Sequence, residues 1–374
     1  MTYVLSPFFF LNQLIKKRKT QALKFFSLLI FYDAIHFYLG VDLKSFTLSN
    51  GLFMLTYFCV VAFWHFINSY SHLGRLYKQI LVLNFFLMLM AIPFLFTQPQ
   101  YQQWFWWINH LTKGITDFPR LKLFTYEASY YALLMVPVFY YYVFKFIFGT
   151  VQHHKYVTAL MVFMPMILSM SFGVVGATLF TSIILCLVHH KKLLRYKRAF
   201  VLSSLVLFVL LVTVFIFIFF FPQHPIVVRT FNILQGNDTS ANGRIWESYT
   251  AAWRIAGMKS FFFGAGLGQI KIQIVEVVHQ YFNYWGNFPR YDIPNTMGET
   301  LAIFGITGVC LRIYLEIYLF SKTKVMSNYY RLALFIFAFI YQFTGSFITN
   351  IAEYTIWILA FSKVFEQFDV RKEI

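Results

Sequence analysis

The chain has 374 residues, of which 59% are hydrophobic, 22% aromatic and only 12% charged. Soluble domains carry about 25% charged residues, so this composition excludes a water-soluble enzyme and indicates an integral membrane protein. The net charge of +17 would also suit a nucleic-acid partner. Most Lys and Arg residues flank apolar runs, however, and we therefore expect a membrane and no nucleic acid.

Apolar runs of roughly 17 to 25 residues predict membrane spans, and about ten candidates occur along the chain. They lie near 22–40, 51–68, 79–97, 128–148, 156–170, 172–189, 199–221, 296–320, 332–348 and 353–367. We therefore predict an all-α, polytopic membrane protein with about ten transmembrane helices. The chain divides into about seven helices in 1–221, a large helical outer loop in 222–295 and about three helices in 296–374.

Clusters of Lys and Arg, among them 16–19 and 191–198, predict the orientation of these helices, because short cytoplasmic loops carry an excess of positive residues. With ten helices, every cluster falls on the same side of the membrane. Both termini are then cytoplasmic, and two longer loops, near 98–127 and 222–295, face outward.

The first outer loop is rich in aromatic residues, with Tyr101, Trp104, Trp106 and Trp107. An aromatic belt at the bilayer interface explains these residues. We prefer this interpretation to a platform on which sugars stack.

The second outer loop, 222–295, is too long for a passive connector in a compact protein. Within it, four residues recur at helical spacing: Trp246, Tyr249, Trp253 and Gly257. This pattern predicts an amphipathic helix at the membrane surface. The segment 269–275 alternates like a strand but continues with helical periodicity beyond Ile274, and we favour a helix there.

Arginines are frequent in the same loop, which contains Arg229, Arg244, Arg254 and Arg290. The planar guanidinium group binds phosphate through two charge-assisted hydrogen bonds at once. Several arginines on a loop beside a membrane therefore suit a lipid-linked diphosphate. The alternative is that they contact the headgroups of anionic lipids.

His279, in the middle of the second loop, could be a general base. Eight carboxylates are predicted on the same side of the membrane: Asp42, Asp117, Glu127, Asp238, Glu247, Asp292, Glu299 and Glu353. Glu127 also suits a helix start, where the macrodipole favours an acidic residue. Arg312 and Glu316 lie near or inside a span, where ionisable residues indicate function, but their four-residue separation lets them pair with each other.

The glycine run 264–268 has some likeness to a nucleotide-binding loop. It lacks the preceding strand and the Lys-Ser/Thr of a phosphate loop, so we exclude that function. Three cysteines are too few for a closed zinc site, and we expect neither a metal nor a cofactor. Gly305 and Gly308, in the eighth apolar segment, allow close helix packing.

Four stretches resemble, in order, motifs of the O-antigen ligase and polymerase superfamily. Residues 125–132 resemble its Glu-Pro-Ser-x-x-Ala helix entry, and Leu168-Ser169-Met170-Ser171 resembles its Leu-Ser-x-Ser-Arg segment. Arg244, the helix after it and the run 262–268 resemble the passage with an Arg, a helix and alternating glycines. Pro294-Asn295, followed nine residues later by Gly305-Ile306-Thr307-Gly308, resembles the His-Asn and Gly-x-x-Gly signature.

The resemblance implies a metal-independent glycosyltransferase that uses undecaprenyl-diphosphate-linked oligosaccharide on the outer face of the bacterial cytoplasmic (inner) membrane. The growing glycan is the donor, and a hydroxyl group on the next lipid-linked repeat unit is the acceptor. Candidates for activating or orienting this hydroxyl are Glu127, Glu247, Asp292 and His279. The four loop arginines named above would contact the diphosphate, while Asn295, Gly305 and Gly308 are motif positions. Expected partners are membrane lipid, a chain-length regulator and a flippase.

The chain departs from the superfamily at two motif positions. Pro294 replaces the motif His, and Phe172 replaces the Arg after the second Ser. Loss of the His favours a polysaccharide polymerase over a ligase that transfers finished glycan, although His279 could substitute. A transporter for the lipid-linked sugar is a more distant alternative, because it should carry its charges along a central path, often with inverted repeats.

Overall fold

A computed structural model of the protein describes residues 20–109, 118–151, 154–193, 225–282 and 292–370, together with residues 220 and 223. The predicted span at 199–221 therefore lies, except for residue 220, outside the described residues.

The described chain is mostly helical, with one small sheet. The helices are α1 (Thr20–Tyr38), α2 (Leu43–Ser69), α3 (Leu73–Ala91), α4 (Pro99–Gln102), α5 (Ala128–Ile147), α6 (Lys155–Ser169), α7 (Phe172–Leu193), α8 (Pro225–Leu234), α9 (Thr239–Asn242), α10 (Ser248–Lys259), α11 (Ile270–Phe282), α12 (Thr296–Lys322), α13 (Tyr329–Tyr341) and α14 (Ile351–Phe361). A π-helical turn, Gly243–Glu247, leads directly into α10.

Five helices in the described ranges are long and apolar enough to cross a membrane: Leu43–Ser69, Leu73–Phe96, Ala128–Ile147, Phe172–His189 and Thr296–Lys322. Three shorter helices, α6, α13 and α14, are also apolar. Each predicted apolar segment within the described residues overlaps a helix. The last two helices are shorter than predicted, because α13 ends at Tyr341 and α14 at Phe361, before the predicted ends at 348 and 367. These helices are compatible with a membrane protein, and the count of about ten spans stays a prediction.

The first long loop contains a hairpin that the all-α prediction missed. Strands β1 (Trp106–Asn109) and β2 (Phe118–Leu121) pair antiparallel, with Trp106 opposite Leu121. Trp106 is 2% exposed, and its indole Nε1 donates to the carbonyl of Ala91 at 2.8 Å. Its assignment to an interfacial aromatic belt was therefore wrong, because this indole packs inside the protein. Trp104, by contrast, is 59% exposed.

The chain forms two compact units. The first comprises Met1–Tyr70, Gly243–Thr323 and Gln342–Ile358, and the second comprises Ser71–Asn242, Lys324–Tyr341 and Leu359–Ile374. The long loop 222–295 is thus divided between the two units after Asn242.

Helix α10, predicted from its aromatic spacing, packs on α12 through a face of small residues. That buried face consists of Ser248, Ala251, Ala252, Ile255 and Ala256. Small side chains let two helix backbones approach closely. The aromatic residues predicted to form one stripe lie largely on the exposed side, where Trp246 is 73% and Trp253 56% exposed. The helix predicted after it is also present, as α11.

Helix α12 is interrupted at Gly305, whose φ of 65° and ψ of −166° are not helical. The segment 261–266 docks against this interruption. Four backbone hydrogen bonds join the two, from Ala265 N to Ala302 O (2.8 Å), Gly266 N to Ile303 O (3.1 Å), Ile306 N to Phe261 O (3.1 Å) and Thr307 N to Phe262 O (3.2 Å). The interruption would leave amide and carbonyl groups of α12 without helical partners, and the segment 261–266 supplies those partners. An apolar environment requires such pairing, because no water is present to replace it.

Glycine is required on both sides of this contact. Gly264 has a φ of +76°, and a Cβ there would overlap the carbonyl oxygen of Ile303. A Cβ at Gly305 would overlap the carbonyl oxygen of Phe262. The positive φ angles and the close backbone approach give the glycine run a packing role.

We expect Gly264→Ala and Gly305→Ala each to lower the free energy of unfolding by about 2 kcal/mol or more, because each adds backbone strain and a steric overlap. Gly51→Ala is the matched control, since Gly51 lies in helix α2 with no atom within 4 Å of its added Cβ. That change should be neutral or slightly stabilising. Thermal unfolding of the purified protein in detergent measures all three, and equal stability of Gly264→Ala and Gly51→Ala would contradict the docking.

Candidate functional site

The first turn of α12 is capped completely by other parts of the first unit. The amides of Thr296 and Met297 donate to the carbonyls of Gly345 and Gln342, each at 3.1 Å. The amide of Gly298 donates to the side-chain Oδ1 of Asn295 at 2.6 Å. The amides that begin a helix are a common anion-binding site, and here the protein itself occupies them.

Asn295 also connects this helix start to the turn that carries Arg244. Its side chain is fully buried, and Nδ2 donates to the carbonyl of Arg244 at 2.7 Å and to the carbonyl of Phe343 at 3.2 Å. The hydroxyl of Tyr249 donates to the same Phe343 carbonyl at 3.3 Å. Burial raises the pKa of Tyr249 to about 12, so its phenol stays a donor at neutral pH. The structure thus brings together Arg244 and Asn295.

Arg244 and Glu247 both lie in the π-helical turn Gly243–Glu247. π-Helical turns are rare and are frequent at functional sites. The backbone of the turn is held from two sides, by Asn295 at Arg244 and by the Ser248 hydroxyl, which donates to the carbonyl of Gly243. Arg244 is half-buried and Glu247 is exposed. A rigid backbone therefore presents a cation and a carboxylate three residues apart.

Arg254 lies further along, on α10, where its guanidinium group stands 4.8 Å from the centre of the Tyr281 ring of α11. The two residues line a cleft of about 430 Å³ between these helices. His279 is half-buried on α11, and Asp292 is exposed just before α12.

A buried polar network surrounds Arg312 of α12. Its Nε donates to Glu316 Oε1 at 3.0 Å and to Gln342 Oε1 at 2.7 Å, and its Nη2 donates to Glu353 Oε1 at 2.6 Å. The hydroxyl of Thr296 donates to the other oxygen of Glu353 at 2.9 Å. The predicted pair of Arg312 with Glu316 is confirmed.

The sequence places Glu353 among the carboxylates of the outer side, but it does not predict that Glu353 and Gln342 contact Arg312. Glu353 is 2% exposed and Gln342 is fully buried. They lie 41 and 30 residues from Arg312, so no helical spacing connects them. The sequence does contain one indication of a partner. Arg312 lies in an apolar segment, where a charged side chain needs a nearby group of opposite charge.

Glu127 and Arg229 belong to the second unit. Glu127 precedes α5 and accepts a hydrogen bond from the hydroxyl of Ser129 at 2.6 Å. Arg229 is 8% exposed, pairs with the fully buried Asp238 at 3.2 Å and lies 4.7 Å from the Phe172 ring. The charge of Arg229 therefore has an internal partner.

The predicted site residues thus fall into three groups. One group lies in the first unit and consists of Arg244, Glu247, Arg254, His279, Asp292, Asn295, Gly305 and Gly308. Glu127 and Arg229 form the second group. Arg290 lies outside the described residues. Within the described ranges, no group of three or more His, Cys, Asp or Glu side chains is placed to hold a metal ion.

We expect Asn295→Ala to destabilise the protein more than Asn295→Ser. Serine is a good helix N-cap, so it keeps a partner for the Gly298 amide but is too short to reach the Arg244 carbonyl. The difference between the two variants should be about 1 kcal/mol, the typical contribution of a cap. Thermal unfolding measures both, and identical losses would show that the cap contributes nothing.

We expect Arg312→Met to lower the free energy of unfolding by about 3–5 kcal/mol, because it leaves Glu316 and Glu353 buried without a cation. Lys322→Met is the matched control on the same helix, since Lys322 is exposed and contacts Tyr318. Its effect should stay below about 1 kcal/mol. Denaturation of both variants in detergent tests this, and a small effect at Arg312 would contradict the network.

Comparison with known proteins gives no family assignment: no protein-family model matches the chain, and no curated protein is significantly similar to it. The resemblance to the O-antigen ligase and polymerase superfamily therefore rests on the motif residues alone.

Proposed function

We propose that the protein is a polysaccharide polymerase, a glycosyltransferase that joins undecaprenyl-diphosphate-linked oligosaccharide repeat units on the outer face of the bacterial cytoplasmic membrane. The contact between Arg244 and Asn295 carries this proposal. These motif positions lie 51 residues apart and meet through a part-buried hydrogen bond from the Asn295 side chain to the backbone carbonyl of Arg244. The two glycine motifs, 262–268 and 305–308, also dock on each other. Two of the four motif stretches, those at Arg244 with 262–268 and at Asn295 with 305–308, are thus neighbours in the first unit, whereas 125–132 and 168–171 belong to the second unit.

The proposed reaction needs a stabilised leaving group. The acceptor hydroxyl oxygen forms a bond to the anomeric carbon of the donor, and the bond from that carbon to the diphosphate oxygen breaks. The diphosphate leaves with the electron pair, and the hydroxyl proton passes to a base. A prepositioned guanidinium group lowers the energy of the developing negative charge, most strongly where water is excluded. Arg244 suits this role because its backbone is held by Asn295.

The base must lie within reach of the acceptor hydroxyl. Glu247, in the same turn as Arg244, is the first candidate because it is exposed beside the proposed cation. Asp292 and His279 are further candidates within the first unit. Glu127 stays a candidate from the sequence. With arginine stabilising the diphosphate, the proposal includes neither a metal nor a nucleotide cofactor.

The other arginines contribute less to the proposal. Arg229 forms a buried ion pair with Asp238. If Arg229 bound a ligand instead, the Asp238 carboxylate would stay buried without a cation. We therefore assign Arg229 to this ion pair and not to a ligand. Arg254 and Arg290 stay predicted diphosphate contacts. The expected partners are a flippase that delivers lipid-linked units and a chain-length regulator. We also predict that both chain termini lie in the cytoplasm.

Two rival functions use the same features differently. A ligase would transfer finished glycan to another acceptor with the same arginine chemistry and would need His279 in place of the motif His. A transporter is favoured by the interruption of α12 and by the buried charges around Arg312, since both features occur in transporters. Here the backbone at the interruption is bonded to 261–266, and Arg312 is bonded to Glu316 and Glu353. Both features are therefore accounted for by structural contacts.

We expect Arg244→Ala to reduce polymerisation by about 10²–10³-fold, the usual cost of removing one group that stabilises developing negative charge. Arg244→Lys should retain part of the activity, because it keeps the charge but loses the paired hydrogen bonds. Lys271→Ala, an exposed cation on α11, is the matched control and should leave the polymer unchanged. The measurement is a polysaccharide gel from deletion cells complemented with each variant.

The gel also separates the rival functions. A ladder that collapses to one repeat unit in both the deletion and Arg244→Ala supports a polymerase. Loss of all surface glycan, with lipid-linked polymer still made, would indicate a ligase. Lipid-linked single units that accumulate on the cytoplasmic face would indicate a transporter. A normal ladder from Arg244→Ala at normal expression would contradict the proposed chemistry.

A further inference from the structure

The cleft between α10 and α11 has the size and lining of a small-ligand site. Its volume of about 430 Å³ lies within the range of about 300–1,000 Å³ typical of such sites. The lining residues combine aromatic, cationic, amide and apolar groups: Trp253, Arg254, Gly257, Met258, Val277, Gln280 and Tyr281. All of them belong to the first unit.

Trp253 presents an aromatic ring whose orientation is fixed. The ring is 56% exposed and packs against the Phe261 ring, with the centroids 4.4 Å apart and the planes at 66°. Phe261 is itself anchored, because its carbonyl accepts a hydrogen bond from Ile306 at the interruption of α12. Contact with the anchored Phe261 ring restricts the exposed Trp253 side chain, which lowers the entropy cost of stacking a ligand on it.

Two polar residues line the same cleft. The guanidinium group of Arg254 lies 4.8 Å from the centre of the Tyr281 ring. In the described parts of the chain, no carboxylate lies within ion-pair distance of Arg254, unlike Arg229 and Arg312. Gln280 adds an amide group whose Nε2 donates to Glu276 at 2.9 Å and whose carbonyl oxygen is an acceptor. The cleft therefore offers the cation of Arg254, which no described carboxylate neutralises, beside an amide group.

The cleft lies at a distance from Arg244. Arg254 follows Arg244 by ten residues, which corresponds to about 15 Å along a helix. The two phosphates of a diphosphate are adjacent, so a ligand that spans both arginines extends well beyond the leaving group. In the proposed donor, the glycan is the part that extends from the reacting carbon.

The chemistry of the lining fits a sugar ring. A pyranose has an apolar face of C–H groups, which stacks on the electron-rich face of an aromatic ring. It also has an edge of hydroxyl groups, and in acidic sugars a carboxylate, which guanidinium and amide groups bind. An anionic lipid would place its acyl chain on the Trp and its headgroup on Arg254, but it would leave Gln280 without a role.

We propose that this cleft is a saccharide subsite that holds a sugar residue of the glycan away from the reacting bond. The ring stacks on Trp253, and Arg254 and Gln280 bind its polar edge. Arg254 then contacts the glycan instead of the diphosphate predicted from the sequence. Trp253 and Gln280 then contribute to the choice of glycan, whereas Arg244 acts on the leaving group. The identification of the ligand as a sugar rests on the proposed function. The location of the site rests on the cleft alone.

The test is direct binding of oligosaccharides released by mild acid from the host's own surface polysaccharide, measured by saturation-transfer NMR on the purified protein. Trp253→Leu should weaken binding about tenfold, because it keeps an apolar side chain but removes the aromatic face. Trp253→Phe should stay within about threefold of the wild type. Trp104→Leu is the control, since Trp104 is 59% exposed and lies outside the cleft. Each variant is first checked for unchanged thermal stability.

Each outcome decides the inference. Wild-type binding that survives Trp253→Leu would overturn the subsite, as would a wild type that does not bind the oligosaccharides at all. If binding follows Trp253 but the ladder from Arg244→Ala is normal, the saccharide cleft stands and the polymerase proposal fails. If the ladder collapses but Trp253→Leu binds normally, only the subsite fails.

Discussion

The first turn of α12 is the constraint on which the rest of the candidate site depends. A helix that begins inside an apolar environment must have its leading amides satisfied by the protein, because no water is available to do so. Here the carbonyls of Gln342 and Gly345 and the side chain of Asn295 provide the partners. The non-helical segment after α13 therefore has to lie beside this turn, and Asn295, fixed there, holds the Arg244 carbonyl.

Much of this architecture could be predicted from the sequence because it follows from local patterns. Apolar runs predicted the helices in the described chain, and aromatic spacing predicted α10. The four-residue separation of Arg312 and Glu316 predicted their ion pair. The aromatic spacing could not show that α10 buries its alanine face. Small residues contribute little to an apolar pattern, and their role in close helix packing is visible only once α12 is seen beside them.

The remainder depends on contacts between residues that are distant in the sequence. The β1–β2 hairpin carries no turn motif that would have predicted it, so Trp106 was taken for an interfacial residue. Arg229 looked equivalent to Arg244 because both are arginines of one loop, and the burial of Arg229 beside Asp238 is visible only in the structure. A single sequence gives no information on such pairs, so residue type alone could not sort ligand-binding arginines from structural ones.

In the predicted membrane protein, the network around Arg312 has a consequence for the order in which the helices insert. Helix α12 carries Arg312 and Glu316 together, so it can leave the translocon as an internally neutral segment before the rest of the network has been synthesised. Glu353 arrives later, on a helix of only 11 residues, and has no cation of its own within that helix. Its stable placement requires that α12 already be in position. The last part of the chain therefore matures only by assembling onto a helix inserted before it.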